Sequence, residues 1–142
     1  GWAKVEELRT SLAEFRKSGK PLVAFLRSPG NAEYYLATAC DRIYTAPEDN
    51  VNLKGLRLEL LYLKGTLDKV GVGVDVISAG KYKDGGDIFT RTGARPETLQ
   101  VMNQLLDQFY GTLVATIAQG RGKKAEDVRA LIDNGPYNAN AC

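Results

Sequence analysis

The fold class is indicated by one short stretch, Pro21-Leu22-Val23-Ala24-Phe25-Leu26. Five apolar residues follow the proline without a polar interruption. Such a run is typical of a strand that is buried on both faces, and strands of that kind occur in parallel sheets with helices packed on each side. The stretch therefore predicts a strand inside an α/β domain.

The sequence around this strand alternates between helical and strand patterns. Residues 3–18 carry apolar side chains at helical spacing and predict a first helix. After the strand, Asn31 is suited to cap a short helix that runs to about Cys40. A second strand is predicted over residues 42–46, and Pro47 ends it.

The second half of the chain continues the alternation. We predict a helix near 57–70, a third strand over 74–77, a long helix whose first turn contains Pro96, and a last helix over about 125–133. This order predicts an α/β layered domain with parallel strands flanked by helices. The predicted apolar face of the long helix consists of Leu99, Met102, Leu106, Phe109, Leu113 and Ile117.

The composition excludes several kinds of chemistry. The chain has 142 residues, with 19 lysines and arginines, 17 aspartates and glutamates, a net charge of +2 and no histidine. Without histidine it cannot build a serine-histidine-acid triad, a cysteine-histidine pair or a histidine zinc site. Basic and acidic residues are mixed instead of forming a stripe, so we expect no nucleic acid partner. The length favours a single domain.

Cofactor, metal and membrane motifs are missing from the sequence. Gly71 and Gly73 lack the third glycine of a dinucleotide-binding loop, and no Walker phosphate loop occurs. Cys40 and Cys142 are too few for a disulfide framework or a four-thiolate metal site. We therefore expect no cofactor and no metal. The longest apolar run, Leu22–Leu26, is far shorter than the roughly 20 residues that cross a bilayer. Either the protein is soluble or its targeting segment lies outside this sequence.

The stretch with the most chemical promise is Gly80-Lys81-Tyr82-Lys83-Asp84-Gly85, directly after the third predicted strand. In α/β domains this position usually carries the ligand site. A lysine acts as a general base only when neutral, and its ordinary pKa of about 10.4 must fall to roughly 7–8. Burial would lower it, whereas the neighbouring carboxylates of Asp84 and Asp87 would favour the charged form. From the local sequence alone, an exposed surface loop is the better interpretation.

The chain resembles the signal peptide peptidase A family, specifically the amino-terminal half of its two-domain form. The resemblance covers nearly the whole sequence, and the Gly-x-Tyr-Lys element in its setting is the most specific part. The stretches that carry it are Glu6–Arg9, Phe15–Pro21, Glu33-Tyr34-Tyr35-Leu36-Ala37, Asp41-Arg42-Ile43-Tyr44, Leu67–Val72, Gly80-Lys81-Tyr82-Lys83 and Phe89-Thr90-Arg91.

This resemblance implies a crotonase/Clp-like fold and a serine-lysine endopeptidase that degrades cleaved signal peptides. The lysine of Gly-x-Tyr-Lys is the family's general base, which corresponds to Lys83, and Lys81 occupies the variable position. Residues 1–142 would form one amino-terminal domain of the protease, cut at both ends from a larger fold. The family setting further implies self-association, the bacterial inner membrane, an extracytoplasmic location for this domain, and an anchor outside this sequence.

Three residues depart from the family pattern. Single-domain members carry Ser-Gly-Gly-Tyr-Tyr, and here Asn31 stands where the nucleophilic serine would be. We therefore expect the serine to come from the carboxy-terminal half, which this sequence lacks, and the 142 residues alone to be inactive. Asp84 replaces a serine that is usual in two-domain members, and Arg95 replaces a serine helix cap. The alternative hypothesis is a non-catalytic scaffold that buries long-helix surface against its partner half or sister subunits.

Overall fold

The computed structural model describes residues 1–77, 79–80 and 82–138. They fold as two compact units, the first made of residues 1–55 with 110–138 and the second of residues 56–109. In chain order the elements are α1 (Trp2–Arg16), β1 (Val23–Leu26), α2 (Asn31–Ala37), β2 (Arg42–Thr45), β3 (Asn50–Val51), α3 (Lys64–Lys69), α4 (Asp87–Thr90), α5 (Pro96–Arg121), α6 (Ala125–Asp133) and β4 (Tyr137–Asn138).

The first unit contains the predicted parallel pair of strands. β1 and β2 run in register from Val23 opposite Arg42 to Leu26 opposite Thr45. Asp41 fixes where the pairing begins, because its backbone N–H donates to the Leu22 carbonyl (2.8 Å) and its carboxylate accepts from the Leu22 N–H (2.9 Å). The α/β class and the parallel pairing are therefore confirmed.

The prediction that β1 is buried on both faces is wrong for this unit. Val23 and Phe25 are 54% and 65% exposed, while Ala24 and Leu26 on the other face are half-buried. An uninterrupted apolar run shows that both faces can be buried, but it does not supply a layer to cover the second face. Within the described residues the sheet that contains β1 has two strands.

The core of the first unit lies between α5 and α6. Leu113, Val114 and Ile117 of α5 are almost fully buried, and they cluster with Val128 and Ile132 of α6. Each such side chain contributes roughly 1.5–3 kcal/mol by leaving water. Leu113 and Ile117 belong to the predicted apolar face, so the carboxy-terminal half of that prediction is confirmed.

A short antiparallel pair closes the first unit. β3 pairs with β4, with Val51 opposite Tyr137 and Asn50 opposite Asn138. Asn138 is therefore extended at the end of the described residues. Residues 139–142, including Cys142, lie outside the described part of the chain.

The second unit corrects two predicted elements. The helix near 57–70 is restricted to α3, and residues 56–63 have no helix. In this stretch leucines alternate with Arg57 and Glu59, which form an ion pair. Residues two apart share a side in an extended chain but not on a helix, and the alternation therefore favours extended backbone.

The third predicted strand is also absent, because residues 74–77 have no regular secondary structure. A strand needs a neighbour to accept and donate its backbone hydrogen bonds. No other strand occurs among the described residues of the second unit. Periodicity alone could not reveal that the partner strand was missing.

Candidate functional site

Lys83 lies in a turn of the second unit whose backbone is fixed on both sides of its Cα. Its N–H donates to the Gly80 carbonyl at 3.2 Å, and its own carbonyl accepts from Nη2 of Arg95 at 3.1 Å. Gly80 has φ +115°, a conformation that glycine adopts without strain. The Lys83 side chain is exposed in this unit. The backbone is thus held on both sides of the Lys83 Cα, while the side chain is exposed.

The guanidinium of Arg95 ties the two ends of the segment 83–87 together. Its Nε donates to Oδ2 of Asp87 at 2.6 Å, while Nη2 reaches the Lys83 carbonyl. The side chains of Arg95 and Asp87 are only 22% and 18% exposed. A planar guanidinium with several fixed donors suits such a two-ended contact better than an ammonium does.

Asp84 is anchored separately to the first turn of α5. Its Oδ2 accepts from the Thr98 hydroxyl at 2.7 Å, and Thr98 is 7% exposed. Both carboxylates beside Lys83 therefore have partners of their own, Thr98 for Asp84 and Arg95 for Asp87.

The start of α4 is packed closely against the preceding segment. The Asp87 N–H donates to the Asp84 carbonyl at 2.9 Å, and a Cβ built on Gly86 would overlap the Val76 side chain. Glycine is required here by the close approach of Val76. The described residues that follow Lys83 are therefore restrained by Val76, Arg95 and Thr98.

The turn after β1 leads into Asn31, the first residue of α2, which stands where the resemblance expects a serine. The Asn31 amide bonds the backbone of Lys54 twice, donating from Nδ2 to the carbonyl (2.8 Å) and accepting at Oδ1 from the N–H (3.0 Å). The prediction that Asn31 caps α2 is wrong, since Gly30 occupies the N-cap position and its N–H donates to the Glu33 carboxylate. Asn31 therefore has a structural role in this turn.

Ser28 is the serine nearest to this turn, and its hydroxyl is directed at a carboxylate. It donates to Oδ1 of Asp49 at 3.2 Å, while Arg27 Nε contacts Oδ2 at 2.7 Å. Burial alone raises the pKa of Asp49, but the hydrogen bond and charge of Arg27, together with Ser28, outweigh burial and hold that pKa below its ordinary value. A carboxylate of this kind is a poor proton acceptor, so Ser28 lacks a base.

The cleft lined by the carboxy-terminal ends of α1, α2 and α5 is basic but is not suited to an anion. Arg16 pairs with Asp41 (2.7 Å) and Lys17 with Glu14 (2.6 Å), while Arg9 donates to the Thr38 hydroxyl (3.3 Å). Helix carboxy-terminal ends carry partial negative charge and attract such cations. The cationic side chains are explained by the fold. They do not require a ligand.

The remaining sequence candidates are inert or lie outside the described residues. Cys40 is buried; desolvation, followed by the charge of Asp41, raises the pKa of its thiol. Lys81 falls outside the described part of the chain, and so does Ser78. Within residues 1–77, 79–80 and 82–138, no set of three metal-ligating side chains comes together, and no helix is long and apolar enough to span a membrane.

Sequence reasoning identified the lysine turn but missed two residues that hold it. Arg95 was noted only as a departure from a serine helix cap, and Thr98 was not singled out. The available signal was the coincidence of two departures, an added acid at 84 and an added base at 95, flanking the same glycine-rich stretch. An added acid and an added base on opposite sides of one loop suggest that new polar contacts hold the loop.

Comparisons with known proteins agree with the resemblance seen in the sequence. The profile of peptidase family S49 matches residues 14–141. The chain is 37% identical to "Serine protease SPPA, chloroplastic" of Arabidopsis thaliana over 96% of its length, and 31% identical to "Protease 4" of Salmonella typhi over 78%. It is 24% identical over 94% of its length to "Putative signal peptide peptidase SppA" of Enterococcus faecium.

The chain covers only part of each of these relatives. It spans 20% of the Arabidopsis protein, 18% of the Salmonella protein and 39% of the Enterococcus protein. The family profile nevertheless matches most of the 142 residues, from within α1 to the last described strand and beyond. The chain belongs to peptidase family S49.

Proposed function

We propose that Lys83 is the general base of a serine-lysine endopeptidase and that the nucleophilic serine lies outside residues 1–142. The observation that carries this proposal is the turn that holds Lys83. Its N–H and carbonyl are both hydrogen-bonded, to Gly80 and Arg95, within a chain of a peptidase family. A base needs a fixed approach to the proton that it removes, and a backbone held on both sides supplies that approach.

The proposed chemistry needs no imidazole, which agrees with a chain that has no histidine. The neutral amine of Lys83 accepts the proton of the serine hydroxyl as the oxygen attacks the peptide carbonyl. The resulting ammonium then returns the proton to the leaving amine as the acyl-enzyme forms. Water repeats the sequence in the second half-reaction, with Lys83 again accepting and returning a proton.

Two of the three serines among the described residues use their hydroxyls in contacts within the fold, which supports a nucleophile elsewhere. Ser28 donates to Asp49, and Ser11 donates to the Glu7 carbonyl on α1 at 3.1 Å. The family's serine position is taken by Asn31, which has no nucleophilic oxygen. Residues 1–142 alone are therefore expected to hydrolyse no peptide.

The wider setting is proposed from the resemblance. Residues 1–142 would be one domain of a crotonase/Clp-like layered fold, in which the exposed β1 face is covered by further layers. The substrates would be signal peptides released after secretion, in keeping with the name of the Enterococcus relative. The whole protein would self-associate at the bacterial inner membrane, with this domain on the extracytoplasmic side and the anchor in another segment.

The decisive experiment substitutes Lys83 in the full-length enzyme. Lys83→Ala should lower kcat for peptide hydrolysis by about 10²–10⁴-fold, the usual contribution of a general base. Small primary amines should restore part of the activity, because they can occupy the space left by the side chain. Lys69→Ala, which removes another exposed lysine of the same unit, is the matched control and should keep the parental rate. Wild-type proteolysis by a folded Lys83→Ala enzyme would exclude the base role.

A scaffold function is the second candidate, and the exposed apolar surface of the second unit favours it. Val101 and Leu105, four residues apart on one side of α5, are 42% and 37% exposed, and Leu61 is 66% exposed. Surfaces of this kind are often covered in an assembly. If scaffolding were the only function, Val101→Arg with Leu105→Arg would dissociate the full-length protein in sedimentation, while Lys83→Ala would leave proteolysis intact. The Lys83→Ala result separates the two candidates.

A further inference from the structure

We propose that Arg95 is a positioning residue for the Lys83 base, acting through the Lys83 carbonyl and held in place by Asp87. This inference rests on the proposed function of Lys83 and identifies a residue outside the family's Gly-x-Tyr-Lys element. The contacts that carry it are the Nη2 bond to the Lys83 carbonyl (3.1 Å) and the Nε bond to the Asp87 carboxylate (2.6 Å).

The first step of the argument concerns what fixes the lysine side chain at its root. The direction of the Cα–Cβ bond follows from the orientation of the two peptide groups that flank the Cα. Gly80 holds the N–H of Lys83, and Arg95 holds its carbonyl. Removing Arg95 frees the second peptide group, so the lysine can move although its own side chain is unchanged.

The second step concerns why arginine is needed at this position. Its neighbour Pro96 begins α5, and the Arg95 carbonyl accepts from the Leu99 N–H at 3.0 Å. A cation at a helix amino-terminal end is electrostatically unfavourable, so the helix gives no reason for an arginine. The side chain instead turns back to Asp87, and the pair is about four-fifths buried. An arginine at position 95 is therefore explained by its contacts to the Lys83 turn and not by the start of α5.

The third step is the role of Asp87. An arginine is flexible when unpaired, and it holds the Lys83 carbonyl in one place only if its guanidinium is itself fixed. The charged hydrogen bond to Asp87 supplies that restraint. Lysine at 95 would keep the charge but could not present two donors in one plane. Serine at 95 would restore a helix cap without reaching Lys83.

The test compares Arg95→Ala, Arg95→Lys and Arg95→Ser in the full-length enzyme. A displacement of about 1 Å can lower a catalytic rate by about 100-fold, so we expect kcat to fall by about 10–100-fold in all three variants. KM should stay within about twofold, because substrate binding is not altered by a misdirected base. Arg95→Ser should lower the thermal midpoint less than Arg95→Ala does, because serine caps α5 while both variants leave Asp87 without its ion pair. Arg57→Ala, which breaks an exposed arginine-carboxylate pair of the same unit, is the matched control with an unchanged kcat.

Two outcomes separate this inference from the function on which it rests. If Lys83→Ala abolishes proteolysis while Arg95→Lys and Arg95→Ser keep the parental kcat, Lys83 is the base and Arg95 does not position it. If Lys83→Ala keeps proteolysis, the proposed function itself fails. Asp87→Ala provides a second variant should Arg95→Ala not fold, and it should lower kcat in the same direction by releasing the guanidinium. A loss of kcat that merely follows the unfolded fraction in every variant would also overturn the positioning role.

Discussion

Gly120 of α5 lies against the end of α2, and its replacement by alanine tests how closely the two helices pack. A Cβ on Gly120 would lie 2.7 Å from both the Cβ and the carbonyl oxygen of Thr38, where ordinary contacts are 3.4–4 Å. Thr38 cannot yield easily, because it is 2% exposed and its hydroxyl donates to the Tyr35 carbonyl at 2.6 Å. One of the two helices must therefore shift.

The magnitude follows from two opposing effects. Alanine is favoured over glycine by up to about 1 kcal/mol in a helix, and less at Gly120, which is the penultimate residue of α5. Overpacking of a closely packed contact costs about 1–3 kcal/mol. We expect Gly120→Ala to lower the free energy of unfolding by about 1–2 kcal/mol, equivalent to a few degrees in the thermal midpoint.

Gly111 of the same helix provides the control, because a Cβ there has no atom within 4 Å among the described residues. Gly111→Ala should therefore show the helix preference alone and stabilise the chain by about 0.5–1 kcal/mol. Both variants are measured by urea unfolding of the 142-residue chain with a common slope. Equal effects of the two substitutions would refute the packing of Gly120 on Thr38.

Three further predictions concern the first unit. Asn31→Ser should lower the free energy of unfolding by about 1–2 kcal/mol, because both amide contacts to Lys54 are lost. The new serine should not react with a fluorophosphonate. Labelling at position 31 would contradict the structural role given to Asn31. The pKa of Asp49 is lowered in the folded chain, so its contribution to stability is complete well above the ordinary pKa of aspartate and is lost as the pH falls through the folded pKa. Asp49→Asn should flatten the acid limb of the stability curve, and an unchanged limb would exclude this contribution. Cys40 should react with iodoacetamide at least about tenfold more slowly in the native chain than in urea, because burial disfavours its thiolate. Mass spectrometry locates the modified cysteine. Equal rates in the two conditions would show that the Cys40 thiol is accessible in the native chain.

The local elements were predictable wherever a single periodicity dominated. α1, α5 and α6 follow helical spacing, and α6 occupies residues 125–133 as the pattern predicts. Both strands of the parallel pair also lie where the apolar runs placed them. Such patterns indicate which face of a helix or strand can be buried. In these helices and strands, another part of the chain packs against at least one face.

The errors occur where an element depends on a partner that the sequence pattern does not reveal. Residues 74–77 have strand composition but no strand beside them among the described residues of the second unit. The outer face of β1 is apolar but uncovered. A strand's own residues set its preference, whereas its neighbours decide whether that preference is realised.

The candidate site shows the same division between local and distant information. The Gly80-x-Tyr82-Lys83 element places the lysine, because it is contiguous in the sequence. The contacts that hold the turn join residues 12 and 14 positions apart, Lys83 to Arg95 and Asp84 to Thr98. When each position is judged alone, Asp84 is a minor change and Arg95 is a lost helix cap. Together they secure both ends of one turn, so a departure in this segment must be weighed with the contact that it forms. Arg95 weakens the start of α5 electrostatically, but it also fixes the carbonyl of Lys83, the residue proposed to move the proton.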